Sequence, residues 1–505
     1  MDKSKGLLTN ANWSIFSIIV SVLGAFVSMP IIINTLGINN YGLFSIILMI
    51  GGFAAIQDFG LGEATLRYVS LYYSKNDIKG INRVVNSTLY LYIIILGSIF
   101  IIIQLFSSQI INLFELDNDQ VDTGILALRI AAFSFVFVTI AESLQKIPQA
   151  LLRYDVTSKV NLLIVIIRFS SMIIVVKLGY GIIGLMCVIV LISILKLITY
   201  YIVSKKMIKE LKILPHYDKN GLKEVFSFSI YSFLNSIISQ IANYADRLVL
   251  GMFYGASDVA FLAAPKDITS RASGLVGAAG NVLFPKFSSM KEGVGMQKLY
   301  VNVLWGLTTF SLIILIPLSV VFSNFLTLWI SEEFSNNSSE FAKLFALGFA
   351  FNGGASVYMS LLKGTGRMKL LTSIISILTI TSIVATIILV YNYGLIGSGI
   401  RTLIFSWVCI LICIVIGKNV FNNIKLTPFV LENAIIPLIV GFSVYFLGIC
   451  FDDVIVINNW LLLIVYYTFL SFTVLILSFI LNYLFFKKAG SGYYYFNLLS
   501  KKIWC

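Results

Sequence analysis

The chain holds little of what soluble catalysis on metals or nucleotides requires. Only 12% of its 505 residues are charged, one is histidine and five are cysteine. His216 stands beside Pro215 in a basic loop. Cys187, Cys409, Cys413, Cys450 and Cys505 fall in or beside apolar runs, with no CxxC pair and no Cys/His cluster. The sequence therefore offers neither a disulfide framework nor a zinc site. It has no G-x-x-x-x-G-K-[ST] loop to cradle a nucleotide phosphate. No segment between the apolar runs is long enough for a catalytic domain, so no catalytic residue, metal or cofactor is expected and the chain reads as a non-enzyme. Acidic residues are scarce as well, 23 against 36 Lys and Arg, for a net charge of +13.

What is abundant is hydrocarbon. At 58% hydrophobic residues the chain cannot form one water-soluble core without exposing far too much apolar surface. Mean hydropathy is +0.94. Runs near the bilayer length of about 20 residues occur at 13–33, 41–57, 84–106, 124–143, 160–176, 182–203, 225–253, 259–285, 301–330, 341–362, 372–391, 395–417, 434–451 and 460–486. The expectation is an all-α integral membrane protein with fourteen transmembrane helices. The first run is too long for a signal-peptide core and lacks a cleavage site, so it is read as a retained span.

Charge fixes an expected orientation, because cytoplasmic loops carry the Lys/Arg excess. With the N-terminus inside, Lys75, Lys79, Arg83, Lys205, Lys206, Lys209, Lys212, Lys363, Arg367, Lys369 and Lys418 all fall in inner segments. The outer loops hold Lys177 and several acids, including Glu115, Asp117, Asp119, Asp122, Glu332 and Glu333. Both termini are expected in the cytoplasm of a bacterial cell, the chain lying in the cytoplasmic (inner) membrane. The positive charge is then a topology signal and not a nucleic-acid footprint.

The sequence also repeats. LLRYDVTSK from Leu151 returns as LLKGTGRMK from Leu361, LGYGIIGL from Leu178 as YNYGLIGS from Tyr391, and the glycine turn at Gly37 as that at Gly255, with offsets of 210, 213 and 218 residues. Duplicated helix sets are a common basis of transporters. The expected organisation is an N-terminal six-helix bundle (1–203), a basic cytoplasmic linker (204–224), a C-terminal six-helix bundle (225–417) and two further helices with a basic tail (418–505). Six spans is an even number, so the bundles should share orientation in a pseudo-twofold relation about the membrane normal.

The segment from Met29 to Ser70 carries Pro30, Leu36-Gly37, Tyr41-Gly42, the stretch Asp58, Phe59, Gly60, Leu61, Gly62, then Ala64 and Arg67-Tyr68. It resembles the opening of the Wzx-type polysaccharide flippases, which move O-antigen or capsule repeat units within the multidrug/oligosaccharidyl-lipid/polysaccharide exporter superfamily. The resemblance implies a pair of helical bundles around a central cavity that opens alternately to either side, a role in polysaccharide or lipopolysaccharide assembly, and no hydrolysis. It extends over the first twelve spans, and the motif around Asp58 and Arg67 is its most specific part.

Charges inside the spans suggest what the cavity receives. Arg129, Arg168, Lys196, Arg247, Lys266, Arg271, Lys343 and Arg401 stand against Asp246 and Asp267. Lys196 and Lys343 are near enough to the faces to snorkel. In the seventh span Asn235, Ser239, Gln240, Asn243 and Asp246 form one polar stripe, and in the eighth Lys266 and Ser270 begin another. Part of this set could be salt bridges, Asp246 to Lys266 or Arg271 and Asp267 to Arg247, but these cannot absorb Arg129, Arg168 and Arg401. Guanidinium suits a diphosphate, since its planar fork of donors matches phosphate oxygens at any working pH.

The expected function is therefore a flippase carrying a polyprenyl-diphosphate-linked oligosaccharide from the inner to the outer leaflet. The expected substrate-binding residues are Arg129, Arg168, Arg247, Lys266, Arg271 and Arg401, with Asp246 and Asp267 orienting them or carrying a coupling ion. Export of a dianionic head is electrically downhill by about 2.3 kcal/mol per charge per 100 mV. Membrane potential, or a proton or sodium gradient, could drive it. Rival readings are a cation-coupled multidrug exporter, for which a surplus of cations is the wrong sign, a lipid II exporter, and a non-transporting membrane enzyme or scaffold of polysaccharide assembly. Expected partners are the lipid-linked oligosaccharide, membrane lipids and other polysaccharide-assembly membrane proteins.

Overall fold

A computed structural model describes residues 3–54, 60–281, 283–421, 425–452, 457–487 and 490–495. Asp58 and Phe59 of the sequence motif lie outside these residues, as do the side chains of Asn235 and Ser239. The chain runs α1 (Lys3–Leu36), α2 (Ile38–Ala54), α3 (Leu61–Ser74), α4 (Ile78–Ile111), α5 (Asn118–Ala150), α6 (Tyr154–Lys177), α7 (Gly181–Met207), α8 (Lys219–Phe253) and α9 (Ala256–Asn281). It continues through α10 (Leu283–Ser289), α11 (Val294–Trp329), α12 (Glu332–Phe351), α13 (Ala355–Gly364), α14 (Met368–Val420), α15 (Leu426–Val430), α16 (Ile436–Asp452) and α17 (Trp460–Phe486). Among the described residues every regular element is helical. Among the described residues ten helical segments are long and apolar enough to cross a membrane, which makes this a multi-pass membrane protein.

The elements follow most of the apolar runs, with a difference at one place. The run 341–362 is two helices, α12 and α13, with a turn at 352–354 between them; there the chain lies against α11 so closely that a Cβ on Gly353 would meet Ser311 and the Leu307 carbonyl at 2.6 and 2.7 Å. The runs 372–391 and 395–417 are the two helical halves of α14, which meet without a loop at Gly394, where the backbone is non-helical with φ 56° and ψ −136°. That backbone region is open essentially to glycine alone.

The repeated turns are alike in conformation. Gly181 and Gly394 have φ of 61° and 56°, and Gly37 and Gly255 have 83° and 95°. The third pair corrects the sequence register. Hydrogen bonds from Leu151, Leu152 and Arg153 to Ile147, Gln149 and Pro148 are reproduced by those from Thr365, Gly366 and Arg367 to Leu361, Lys363 and Leu362. Arg153 is thus the counterpart of Arg367, and Leu151 of Thr365 rather than Leu361. The LLR and LLK strings match by composition while the backbone is displaced by about one helical turn.

The chain divides into two compact units, 1–260 and 261–505. In the first, α5 packs on α7, α1 on α6, and α8 on α2, α3 and α4. One core gathers Val69, Val85, Ile147 and Tyr200, and another gathers Leu61, Tyr92 and Val225. The basic linker is fastened to α4 by two asparagines. Asn82 Oδ1 accepts from the Lys212 amide at 2.7 Å while its Nδ2 donates to the Glu210 carbonyl at 3.1 Å, and Asn86 Oδ1 accepts from the Leu214 amide at 3.1 Å. In the second unit α11 is central, packing on α12, α16 and α17. Its core holds Phe287, Tyr300, Tyr358 and Cys413, with the Tyr300 hydroxyl donating to the Cys413 carbonyl at 2.7 Å. Glu432, in a π-helical turn at Leu431–Ile435, is buried and accepts from Asn482 Nδ2 at 3.0 Å and the Ser491 amide at 2.6 Å.

Candidate functional site

Five helices of the first unit enclose a cavity of about 610 Å³ lined by both polar and apolar side chains. The pattern comes from helical spacing. On α5 Ser134, Phe135, Val138, Glu142 and Gln145 share one face, on α6 Asn161, Ile164, Val165 and Arg168, and on α7 Ile189, Ile192, Ser193 and Lys196. Ser17 and Ser21 of α1 and Leu48 and Gly51 of α2 complete the wall. These helices are apolar on much of their surface, and each turns some of its polar or small residues toward the same space.

The cavity's charges are Arg168, Lys196 and Glu142. Lys196 Nζ meets Glu142 Oε1 at 3.0 Å across the α5–α7 packing, with the lysine side chain 15% exposed and the glutamate 58%. Lys196, expected near enough to a membrane face to snorkel, is ion-paired with Glu142. The spans also hold a third carboxylate, Glu142, beyond Asp246 and Asp267, which lowers the cationic surplus by one. The signal was in the sequence, since Glu142 falls inside the run 124–143.

Neighbouring groups hold the polar side chains in place. Tyr200, fully buried on α7, donates its hydroxyl to Asn161 Oδ1 at 2.8 Å and so fixes the amide of α6. The Arg168 guanidinium sits 5.2 Å from the ring centroid of Phe169, stacked on its own helix. Asn161 and Arg168 are two turns apart, about 10 Å along α6, so the amide and the guanidinium occupy different levels of one wall. Guanidinium, ammonium, amide and hydroxyl donors on a partly apolar wall can bind an anion and a polyhydroxylated group together.

The other predicted residues lie elsewhere. Arg129 is exposed on α5, its Nε donating to Ser107 Oγ of α4 at 2.8 Å and its carbonyl accepting from Gln104, and it does not line this cavity. Asp246 and Arg247 are both buried on α8, with the Arg247 guanidinium 5.9 Å from the centroid of Tyr244. Gln240 is partly buried and Asn243 exposed on the same helix. In the second unit Lys266 and Asp267 are partly buried on α9, Arg271 and Ser270 are exposed, and Ser270 Oγ donates to the Asp267 carbonyl at 3.1 Å. Arg401 donates to Ser382 Oγ at 2.9 Å across the α14 bend and to Thr402 Oγ1 at 3.3 Å. Among the described residues no three or more His, Cys, Asp or Glu side chains gather as metal ligands would.

The surviving sequence motif has a structural role. Gly60 caps α3 in the left-handed conformation at φ 70°, Gly62 is buried, and the Arg67 guanidinium lies 5.4 Å from the centroid of Tyr68. Beside it is a polar cluster that sequence reading missed. Arg83 Nη2 donates to the Tyr72 hydroxyl at 2.9 Å, that hydroxyl donates to Glu224 Oε1 at 2.6 Å, and Arg83 also pairs with Glu224 at 3.5 Å. The carboxylate, and burial after it, raises the Tyr72 pKa above its ordinary value near 10.

The helical fold is shared with solved proteins of the multidrug/oligosaccharidyl-lipid/polysaccharide exporter superfamily. The fold matches the lipid II flippase MurJ in an inward closed conformation at TM-score 0.73, covering 95% of this chain and 99% of that one at 17% identity. An inward-facing multidrug resistance MATE transporter of the MOP superfamily matches at 0.61, covering 80% and 94% at 14% identity. Residues 7–291 match the model of the family described as polysaccharide biosynthesis protein, and the chain belongs to that family. A Shigella flexneri protein named as a candidate O-antigen transporter is 25% identical over 407 residues, covering 78% of this chain and 93% of that protein. The teichuronic acid biosynthesis protein TuaB of Bacillus subtilis is 24% identical over 249 residues, covering 49% of this chain and 50% of TuaB.

Proposed function

We propose that the chain is a flippase that moves a polyprenyl-diphosphate-linked oligosaccharide from the cytoplasmic to the outer leaflet by alternating access. The observation that carries this reading is the first unit's cavity, in which Arg168 and the Lys196–Glu142 pair share a wall with Asn161, Gln145 and four serines. A diphosphate is met by guanidinium and ammonium donors, and sugar hydroxyls by amides and hydroxyls. Membership of the polysaccharide biosynthesis family and the relative named for O-antigen transport support the same substrate class.

In this reading both termini and the basic linker face the cytoplasm, the chain spans the membrane fourteen times, and the repeats 1–203 and 225–417 are its two moving halves. Arg168 is the leading phosphate contact. Arg247, Lys266, Arg271 and Arg401 are further cationic contacts on the transport path, with Asp246 and Asp267 orienting them. Arg129, tied to Ser107, is reassigned to helix packing. Membrane potential drives export of the anionic head, with or without a coupled cation.

The test is genetic. Loss of the chain should leave lipid-diphosphate oligosaccharide on the cytoplasmic leaflet, restored by wild type and not by Arg168→Ala. Unchanged leaflet distribution on deletion would refute transport of this substrate.

A further inference from the structure

The second unit has a cavity of a different kind. The two halves of α14, folded back at Gly394, enclose a groove of about 350 Å³ walled by Leu370, Ile374, Leu411 and Val415 and ended by Arg367 and Asn419. Leu370, Leu411 and Val415 are 44%, 60% and 54% exposed, so the groove lies open along the side of the helix. Its wall is apolar, and its polar residues, Arg367 and Asn419, are at one end.

That end is basic. Arg367 begins α14, Lys369 follows it, and Lys418 stands beside Asn419 where α14 finishes, so the bend brings both ends of the helix to one level. Lys363, Lys369 and Lys418 are exposed. The nearby acid is Glu292, which takes Arg367 Nη2 at 3.1 Å on each oxygen and leaves Nη1 and Nε for another acceptor. Hydrocarbon wall and cationic end occur in the order in which a lipid presents its chain and its phosphate.

We propose that this groove is a binding site for an anionic glycerophospholipid of the leaflet that faces the basic end, one acyl chain along Ile374, Leu411 and Val415 and the phosphate diester on Arg367 and Lys418. The site is separate from the transport cavity of the first unit and does not depend on what that cavity carries. A zwitterionic lipid satisfies the wall but places a cation of its own among the lysines, so the site selects net negative charge.

The experiment is native mass spectrometry of the detergent-purified full chain titrated with phosphatidylglycerol or phosphatidylcholine, with no sugar substrate present. Wild type should retain phosphatidylglycerol in preference to phosphatidylcholine. The double variant Arg367→Gln, Lys418→Gln should lose about tenfold or more of that retention, since each juxtamembrane cation contributes appreciably to anionic lipid binding. Val415→Trp, which fills the wall and keeps every charge, should lose it too. Should either variant fail to fold, the lipid preference of wild type alone decides. Equal retention of the two lipids, undiminished binding in folded variants, or displacement of phosphatidylglycerol by equimolar polyprenyl phosphate would overturn the proposal.

Discussion

Arg153 and Arg367 occupy the same place in two copies of one turn. Each precedes a helix, with φ, ψ of −94°, 58° and −82°, 48°, and each amide reaches back to the carbonyl five residues earlier. Their side chains have diverged: Arg153 binds Asp155 through Nε and Nη2 at 2.9 and 3.0 Å, whereas Arg367 binds the distant Glu292. The shared backbone supports an internal duplication more strongly than the resemblance of Leu- and Gly-rich strings. Hydrogen-bond pattern and helix start agree where the letters do not.

The bend at Gly394 should be intolerant of any side chain. Gly394→Ala is expected to destabilise the purified protein by about 1 to 3 kcal/mol, the cost of a non-glycine residue in that region. Gly97→Ala, in the middle of α4 with open space around the new Cβ, should be neutral or slightly stabilising. Unfolding midpoints in one detergent check the pair; an equal response would show that Gly394 is not strained by a Cβ.

Lys196 and Glu142 should behave as a coupled pair. Glu142→Gln and Lys196→Met each leave the other group without its partner, and the double variant should be less damaging than the two single losses added. Because Glu142 is more than half exposed, the coupling is expected near the low end, about 0.5 to 1 kcal/mol. A double-mutant cycle on stability reads it, and strict additivity would place the two groups in independent roles.

The polar cluster at Tyr72 gives a pH dependence of known sign. Its raised pKa means that the folded state favours the neutral phenol donating to Glu224. The contribution is fully present below the ordinary tyrosine pKa of about 10 and disappears as pH rises through the higher folded value. Tyr72→Phe should cost about 1 kcal/mol at neutral pH, and the difference from wild type should shrink on the alkaline side. A constant difference up to the most alkaline pH at which the protein stays folded would argue against this bond.

The helices were legible because span length is a strong signal, and most of the expected apolar runs fall on helices. The breaks were less so. The closeness of Gly353 to α11 is something sequence cannot show, and at Gly394 one helix meets the next without a loop because glycine accepts the non-helical backbone there. The site was only partly legible. Arg168 was named, but Arg129 was assigned to the same cavity although it faces another way. A helix apolar on most sides gives no phase by which to tell one polar residue's direction from another's. Glu142 was hidden by the run containing it, and Tyr200, which fixes Asn161, is indistinguishable in sequence from any aromatic of a transmembrane helix.

The central claim is that the cavity of the first unit receives a phosphorylated sugar head through Arg168. The most direct measurement is the rate at which a fluorescent polyprenyl-diphosphate oligosaccharide crosses the bilayer of proteoliposomes holding wild type, Arg168→Lys or Arg168→Ala at matched protein density. The account predicts movement well above protein-free vesicles for wild type, a partial rate for the lysine variant, and a loss of about tenfold to a hundredfold for alanine, as expected for one charge-assisted contact of 1.5 to 3 kcal/mol. An alanine variant that moves the substrate at the wild-type rate would contradict it.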